Sequence, residues 1–217
     1  MEYTVKIEPS GHAFPVARDE TILDAALSHN IGLPYGCRNG RCGSCIARLV
    51  AGEVGYPGES TEALEGASAD ACLVCQAVPS SDLVLEVREV ESAAEIEVRT
   101  LPCRVAKIEQ LAHDVMRLCL KLPENQRLQF MAGQYLDFIL PSGHKRAFSI
   151  ANAPHDDEFV ELHIRHVEGG EFTEQVFSDM KEKAILRIQA PLGTFVLRED
   201  TERPIILVGG GTGFAPL

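Results

Sequence analysis

A chain of 217 residues that is 45% apolar and 24% charged has material for two globular domains with their own cores, which excludes disorder as the default reading. Its formal charge of −12, from 20 basic and 32 acidic residues, has the wrong sign for a nucleic-acid partner, because binding that polyanion draws on clustered Lys and Arg; a protein partner with a basic patch suits it better. No run approaches the roughly 20 apolar residues that span a bilayer, and "MEYTVKIEPSGH" lacks the basic start and apolar core of an export signal, so the expected location is the cytoplasm, with no membrane partner.

In chain order, "YTVKI" at 3–7 alternates apolar and polar side chains as a half-buried strand does, and "HAFPVA" after the Ser10-Gly11 turn reads as its hairpin partner. Thr21 is the expected N-cap of a helix over about 22–29, with Ile22, Ala25 and Ala26 on one face and Gly32 near its stop. A loop carrying three cysteines follows, then strands in "CIARLVAGEV" and "LVLEVREV"; residues 55–71, rich in Gly, Ser and Ala, read as loop with one short helix. The first 90 residues therefore predict an α+β domain with its thiols on the loop after the helix.

The acidic stretch "ESAAEIEVRT", 91–100, is poor in large apolar residues and reads as a linker. From 101 to 202 the pattern becomes six short strands, in "PCRVAKIEQ", "VMRLCLKL", "QYLDFIL", "RAFSIAN", "VELHIRHV" and "AILRIQA", which predicts an antiparallel six-stranded barrel. One helix is expected in "FTEQVFSDMKE" after Gly169-Gly170. The last segment, 203–217, holds "RPIILVGGGTGFAPL", an apolar strand running into glycines.

Seven cysteines in a reducing compartment need a reason other than disulfides, and their clustering in the first 75 residues points to metal. Cys37, Cys42 and Cys45 have the spacing C-x4-C-x2-C, with 29 residues between Cys45 and Cys75, and four thiolates so spaced are what a 2Fe–2S cluster requires. Gly36, Gly40 and Gly43 let the loop wrap closely, Ser44 adds little bulk, and Arg38 and Arg41 either offset the cluster's charge or are solvated. A rival reading pairs Cys42-x2-Cys45 with Cys72-x2-Cys75 as a zinc ribbon, but it leaves Cys37 unused; unliganded thiols are the third. On the cluster reading Cys72 is a buried spare thiol, and Cys103 and Cys119 are core residues.

With these residues in place, 1–90 resembles a plant-type ferredoxin domain of β-grasp fold, whose ligand positions fall on Cys37, Cys42, Cys45 and Cys75. The second half resembles the FAD barrel of the ferredoxin-NADP reductase superfamily. Its R-x-Y/F-S motif is "RAFS": by resemblance Arg146 serves the pyrophosphate, Phe148 stacks on the isoalloxazine where many relatives have Tyr, and Ser149, the expected catalytic residue, reaches flavin N5. The family's Gly-x-x-Ser/Thr turn is supplied by Gly170 and Thr173, at a helix N-terminus suited to pyrophosphate. "GQY" at 133–135 and "PLGTF" at 191–195 match the barrel. "GGGTGFAPL" resembles the first motif of the family's nicotinamide domain, with Gly210, Gly211, Thr212 and Gly213 expected to face NAD(P)H. Only the first strand of that Rossmann-like domain is seen, so the chain is expected to be a piece of a longer reductase that holds cluster and flavin but reduces poorly with NADH.

The resemblance implies an NAD(P)H-dependent oxidoreductase that passes electrons through FAD and the cluster to an acceptor protein. "EPSGHAF", "LPYGCRNGRCGSC" and "RAFSIAN" are most similar to reductases that serve a pyridoxamine-phosphate dehydrase in deoxysugar synthesis. Reductase components of aromatic-ring or alkane oxygenases share the domain order, and a non-enzymatic ferredoxin-type carrier is the third reading. His113, His144, His155, His163 and His166 are expected to be satisfied or solvated side chains rather than ligands.

Overall fold

Strict alternation builds the first sheet. In β1 (Glu2–Glu8) Val5 and Ile7 turn inward and are fully buried, and in β2 (Ala13–Ala17) Phe14 and Val16 do the same while Pro15 faces out. Pro15 lacks the N–H a central strand would need, and β2 accordingly lies at the sheet's edge. These elements come from a computed structural model that describes residues 2–58, 60–90, 96–197 and 202–217. The chain divides into two compact units, one of residues 1–95 with 193–195, the other of 96–192 with 196–217.

In the first unit, helix α1 (Ile22–Ser28) buries Ile22, Leu23, Ala25 and Ala26. Its N-cap is Thr21, whose Oγ1 accepts from the Asp24 N–H at 3.1 Å and donates to the Asp24 carboxylate at 2.8 Å. Thr21→Ala is expected to cost about 1 kcal/mol, read as a lower denaturant midpoint for this unit; an unchanged midpoint would show that the cap adds nothing. The chain continues through β3 (Ile46–Ala51), β4 (Val54–Gly55), a 3₁₀ turn at Glu62–Leu64, β5 (Ala71–Leu73), β6 (Val78–Pro79) and β7 (Leu83–Glu86). Five strands form one sheet in the order β2-β1-β7-β3-β5, with β1 and β7 parallel, and β4 pairs with β6 apart from it. This is the expected α+β grasp. The short β5 falls in and just after the run read as loop.

The second unit contains all six expected strands: β8 (Arg99–Ala112), β9 (Val115–Lys121), β10 (Tyr135–Ile139), β11 (Lys145–Ser149), β12 (Val160–Arg165) and β13 (Ile185–Leu192). They form one antiparallel sheet in the order β11-β10-β13-β8-β9-β12. Its core includes Val105, Leu118, Leu120, Leu136, Phe138, Leu162, Ile164 and Ile188, with Phe172 and Val176 contributed by helix α2 (Glu171–Ser178), shorter at its C-terminal end than expected. β8 begins at Arg99, inside the stretch read as a linker; residues 91–95 of that stretch lie outside the described residues.

Two expectations are corrected. The six strands are not closed into a barrel. Among the described residues, the backbones of the edge strands β11 and β12 join just past β11, at the bridge Ile150↔Leu162 and at the Ala151 N–H donating to the Glu161 carbonyl at 2.8 Å. Beyond that point the side chain of Asn152 replaces the ladder, accepting from the Glu161 N–H at 2.8 Å and donating to the Phe159 carbonyl at 3.1 Å. The second correction concerns "IILVGG", which forms no strand. Ile205, Ile206, Leu207 and Val208 are 60–85% exposed, because a parallel strand is held by neighbours that pair with its backbone and none does so among the described residues.

A ferredoxin-type thiol loop and a cavity between edge strands

The pairing of β3 with β5 brings the distant thiols together. Ile46 lies opposite Leu73, and the Val74 N–H donates to the Cys45 carbonyl at 3.2 Å, so Cys45 and Cys75 leave the same end of the ladder with their sulfurs 3.1 Å apart. Within the loop, Cys37 and Cys42 form a second pair: the N–H of each donates to the Sγ of the other at 3.4 Å. All seven cysteines are free thiols.

The loop is shaped around these sulfurs. A Cβ at Gly36 would sit 3.2 Å from both Cys42 Sγ and Ser44 Oγ, and one at Gly40, where φ is +80°, would collide with the Ser60 carbonyl. Burial works to raise the Cys42 thiol, but the Cys37 N–H and the hydroxyl and N–H of Ser44 outweigh it and bring it down to about 7. The bond from the Cys45 thiol, against the effect of burial, brings Cys75 down to about 7, while that bond and burial raise Cys45. Each pair thus has one thiol ready to ionise near neutral pH.

Two pairs, rather than four thiols about one point, fit a group with two metal centres that takes two thiolates on each. Among the described residues no three His, Cys, Asp or Glu side chains gather as a single zinc ion would require. The zinc-ribbon pairing would require Cys72, which is fully buried in β5 opposite Ala47 and bonded to the Tyr56 hydroxyl, with burial raising its thiol to about 11. Arg38 and Arg41 are not free counter-charges. Arg38 pairs with Asp24 and lies over the Tyr35 ring at 5.9 Å, and Arg41 pairs with Glu62 at 3.4 Å.

In the second unit the gap left between β11 and β12 is a cavity of about 540 Å³. Arg146, Phe148 and Ser149 line it from β11, His163 and Arg165 from β12, Gly170, Phe172 and Thr173 from the start of α2, and Thr212 and Gly213 from the terminal turn. Its lining contains two arginines and a histidine and no carboxylate. That composition suits an anionic ligand, and the aromatic wall suits a flat one. Phe148 is supported by Phe172 at 5.5 Å and Phe138 at 5.8 Å, and those two pack at 4.4 Å.

At α2, Gly170 is the N-cap, and a Cβ there would lie 2.5 Å from Thr173 Oγ1 and 2.9 Å from the Val167 carbonyl. Thr173 Oγ1 accepts from the Val167 N–H at 3.2 Å and donates to the Val167 carbonyl at 3.0 Å. Thr173 therefore fixes the turn, and the first-turn N–H groups of α2, which have no intrahelical acceptor, are what the turn presents. Arg146 lies 3.8 Å from the Glu171 carboxylate. The Ser142 hydroxyl, then His144, hold Glu171 below the usual carboxylate range. Of the glycine motif, Thr212 and Gly213 reach the cavity from a 3₁₀ turn at Gly211–Phe214, Gly210 caps that turn, and Gly210 and Gly211 are not in the lining. Arg165 and His163 line the cavity without having been singled out for it, and His163 is satisfied by Glu161 at 3.0 Å, as expected. Their signal was present in β12, where 161, 163 and 165 share one face.

A thiol-pair loop on a grasp fold is thus followed by an antiparallel sheet with a cavity suited to an anion. Residues 5–80 match the 2Fe-2S iron-sulfur cluster binding domain family and residues 102–197 the oxidoreductase FAD-binding domain family. The chain therefore carries, in this order, regions matching an iron-sulfur cluster binding domain and a flavin-binding oxidoreductase domain, and it is similar to reductases over its whole length. Over its whole length it is 42% identical to CDP-6-deoxy-L-threo-D-glycero-4-hexulose-3-dehydrase reductase of Yersinia pestis, covering 65% of that protein. It is likewise 36% identical over its whole length to reductase component 1 of terephthalate 1,2-dioxygenase of a Comamonas species, covering 64%. Among solved structures it resembles the Amycolatopsis cytochrome P450 reductase GcoB with a TM-score of 0.78 at 31% identity, over 99% of this chain and 65% of that one. The chain thus spans about two-thirds of the length of these relatives.

Proposed function

We propose that the chain carries electrons from NAD(P)H through FAD and a 2Fe–2S cluster to a separate acceptor protein. FAD takes an electron pair as hydride and releases electrons singly, as a one-electron cluster needs. The chain's own work is to hold both centres and to keep water and side reactions out. Cys37 and Cys42 are assigned to one iron, Cys45 and Cys75 to the other. Arg146 and the first turn of α2 at Gly170 are assigned to the flavin pyrophosphate, and Phe148, backed by Phe138 and Phe172, to one face of the ring. Ser149 is assigned as the catalytic hydroxyl, which orients the reactive edge by a hydrogen bond. Thr173 shapes the turn, and Gly210, Gly211, Thr212 and Gly213 are assigned to the nicotinamide dinucleotide. We take the domains as 1–90 for the cluster, 91–100 as linker, 101–202 for FAD and 203–217 as the start of a nicotinamide domain. Cluster-forming thiols favour a reducing compartment, so the cytoplasm is the assigned location.

The observation that carries this reading is the single cavity that gathers Arg146, Phe148, Ser149, Gly170 and Thr173, residues up to 27 positions apart in sequence, with Thr212 and Gly213. The acceptor is assigned as the dehydrase of a deoxysugar route, which would make the protein a CDP-6-deoxy-3,4-glucoseen reductase, on the 42% identity to the Yersinia pestis relative. The likeness to the terephthalate dioxygenase component and to GcoB supports a second reading, a reductase for an oxygenase. A carrier without NAD(P)H turnover is the third. A visible spectrum of anaerobically prepared chain, with iron, sulfide, zinc and flavin quantified, tests the core claim. Two irons, two sulfides and one FAD per chain are expected. Iron without flavin would leave only a carrier, and a colourless zinc protein would overturn the reading. Transfer from the photoreduced chain to a purified dehydrase or oxygenase component then separates the acceptors.

A further inference from the structure

The loop that carries Cys37 and Cys42 is held by more than its thiols. Its Gly40 carbonyl accepts from the Ala63 N–H at 3.0 Å, which fastens it to the 3₁₀ turn. A second fastening is Gln76, half-buried and next in sequence to Cys75. One atom of that side chain, Nε2, donates to the Arg38 carbonyl at 2.9 Å and to the Cys75 carbonyl at 3.1 Å. An amide nitrogen has two N–H donors, and both are used here. Its orientation follows from the partners: with the amide turned over, an oxygen would face two carbonyl oxygens. The rest of the side chain is seated as well. Its Cγ lies 3.4 Å from where a Cβ would stand on Gly40, and a Cβ on Gly58 would come within 2.5 Å of Oε1. Arg38 gives such a clamp a purpose, because its φ of +56° lies in the left-handed region that residues with a side chain seldom adopt. Its contacts with Asp24 and Tyr35 hold the guanidinium and leave the carbonyl to Gln76.

The geometry points to Gln76 as a positioning residue of the thiol site: its amide joins the turn after Cys37 to the backbone of Cys75 and thereby sets the spacing between the two thiol pairs. The inference rests on the cluster reading above and goes beyond it, since Gln76 offers no ligand of its own. Cys45 and Cys75 lie together through the β3–β5 ladder, and Cys37 and Cys42 through their reciprocal N–H to sulfur bonds. Neither arrangement sets one pair against the other. The Gln76 amide does, because one of its acceptors belongs to the residue after Cys37 and the other to Cys75 itself. That spacing matters for any group bonded to all four sulfurs. Side chains behind metal ligands orient them, and losing one typically costs about 10–100-fold in metal affinity. A neutral amide suits the place, since it donates twice from one atom without adding charge beside the thiols, which Lys could not do.

The test compares the native chain with Gln76→Leu and Gln76→Glu, each prepared anaerobically with its cluster. The readouts are iron and sulfide content, the rate of iron release to excess EDTA, and visible circular dichroism, which reports the geometry of the thiolate cage in those molecules that hold iron. Leu keeps the bulk and loses both donors. Glu keeps the length and the packing against Gly40 but sets an oxygen against two carbonyls. Both variants are expected to release iron about tenfold faster than the native chain and to show an altered visible dichroism, with the far-ultraviolet spectrum unchanged. Native release and a native visible spectrum in both variants would overturn the inference and leave the cluster reading intact. Faster release in Gln76→Leu beside native behaviour in Gln76→Glu would also overturn it, because the donors would then be dispensable. Faster release with an unaltered visible spectrum would make Gln76 a prop of the fold and not of the thiols, with the same consequence. A native chain that takes up no cluster would instead remove the cluster reading, and this inference with it.

Discussion

Cys75→Ser is expected to yield a chain with less than a tenth of the native iron and acid-labile sulfide, whereas Cys72→Ser keeps both near two per chain. The two thiols are three residues apart, so sequence alone leaves them nearly interchangeable. Their surroundings are opposite. Cys75 is 5% exposed beyond the end of β5, within 3.1 Å of the Cys45 sulfur and brought down to about 7. Cys72 is fully buried inside the strand, and to reach a metal it would have to break the β3–β5 ladder that positions Cys45. A serine at 75 offers a hydroxyl that ionises far less readily than a thiol, so it cannot complete a four-thiolate set. At 72 the serine hydroxyl keeps a partner in Tyr56, and a loss of only about 1 kcal/mol in stability is expected, the scale of one exchanged hydrogen bond. Iron retained in Cys75→Ser and lost in Cys72→Ser would reverse the ligand assignment.

Much of this was legible in the chain before any coordinates, and the reasons are local. Val5 and Ile7, Phe14 and Val16 repeat at the period of a strand, and Thr21 three residues before Asp24 is a cap that needs no tertiary contact. The thiol spacing is a short-range pattern fixed by loop length. What the sequence concealed depends on distant partners. β5 is three residues long and exists because β3 offers it a ladder. Asn152 ends the closure of the sheet by spending its side chain on the backbone of Phe159 and Glu161, which no periodicity announces. "IILVGG" has every local mark of a buried strand, yet it stays exposed, with no strand paired to it among the described residues. His163 and Arg165 became site residues only because the edge strands part where they do.

Phe172→Ala is expected to destabilise the second unit by about 3–5 kcal/mol, the usual penalty for emptying a core aromatic site, and to abolish FAD binding as well. Phe172 is 1% exposed, sits in the first turn of α2 and packs on Phe138 at 4.4 Å and Phe148 at 5.5 Å. Three elements therefore meet at one ring: the helix that offers its N–H groups to the cavity, the central strand β10, and the edge strand that carries Arg146, Phe148 and Ser149. Without it Phe148 loses its backing, and α2 loses the largest side chain that seats its N-terminus. Arg146→Ala provides the contrast. That side chain is exposed and joined to Glu171 only at 3.8 Å, a surface pair worth little to folding, so the denaturant midpoint should hardly move while FAD affinity falls about a hundredfold, as for a lost charge-assisted contact of about 2–3 kcal/mol. Calorimetric unfolding and flavin titration of the two variants separate the two roles. If Phe172→Ala binds FAD normally despite its lower stability, the aromatic group is core alone and the flavin face must be built elsewhere. If Arg146→Ala binds normally, the anion is held by Arg165 and the helix terminus instead.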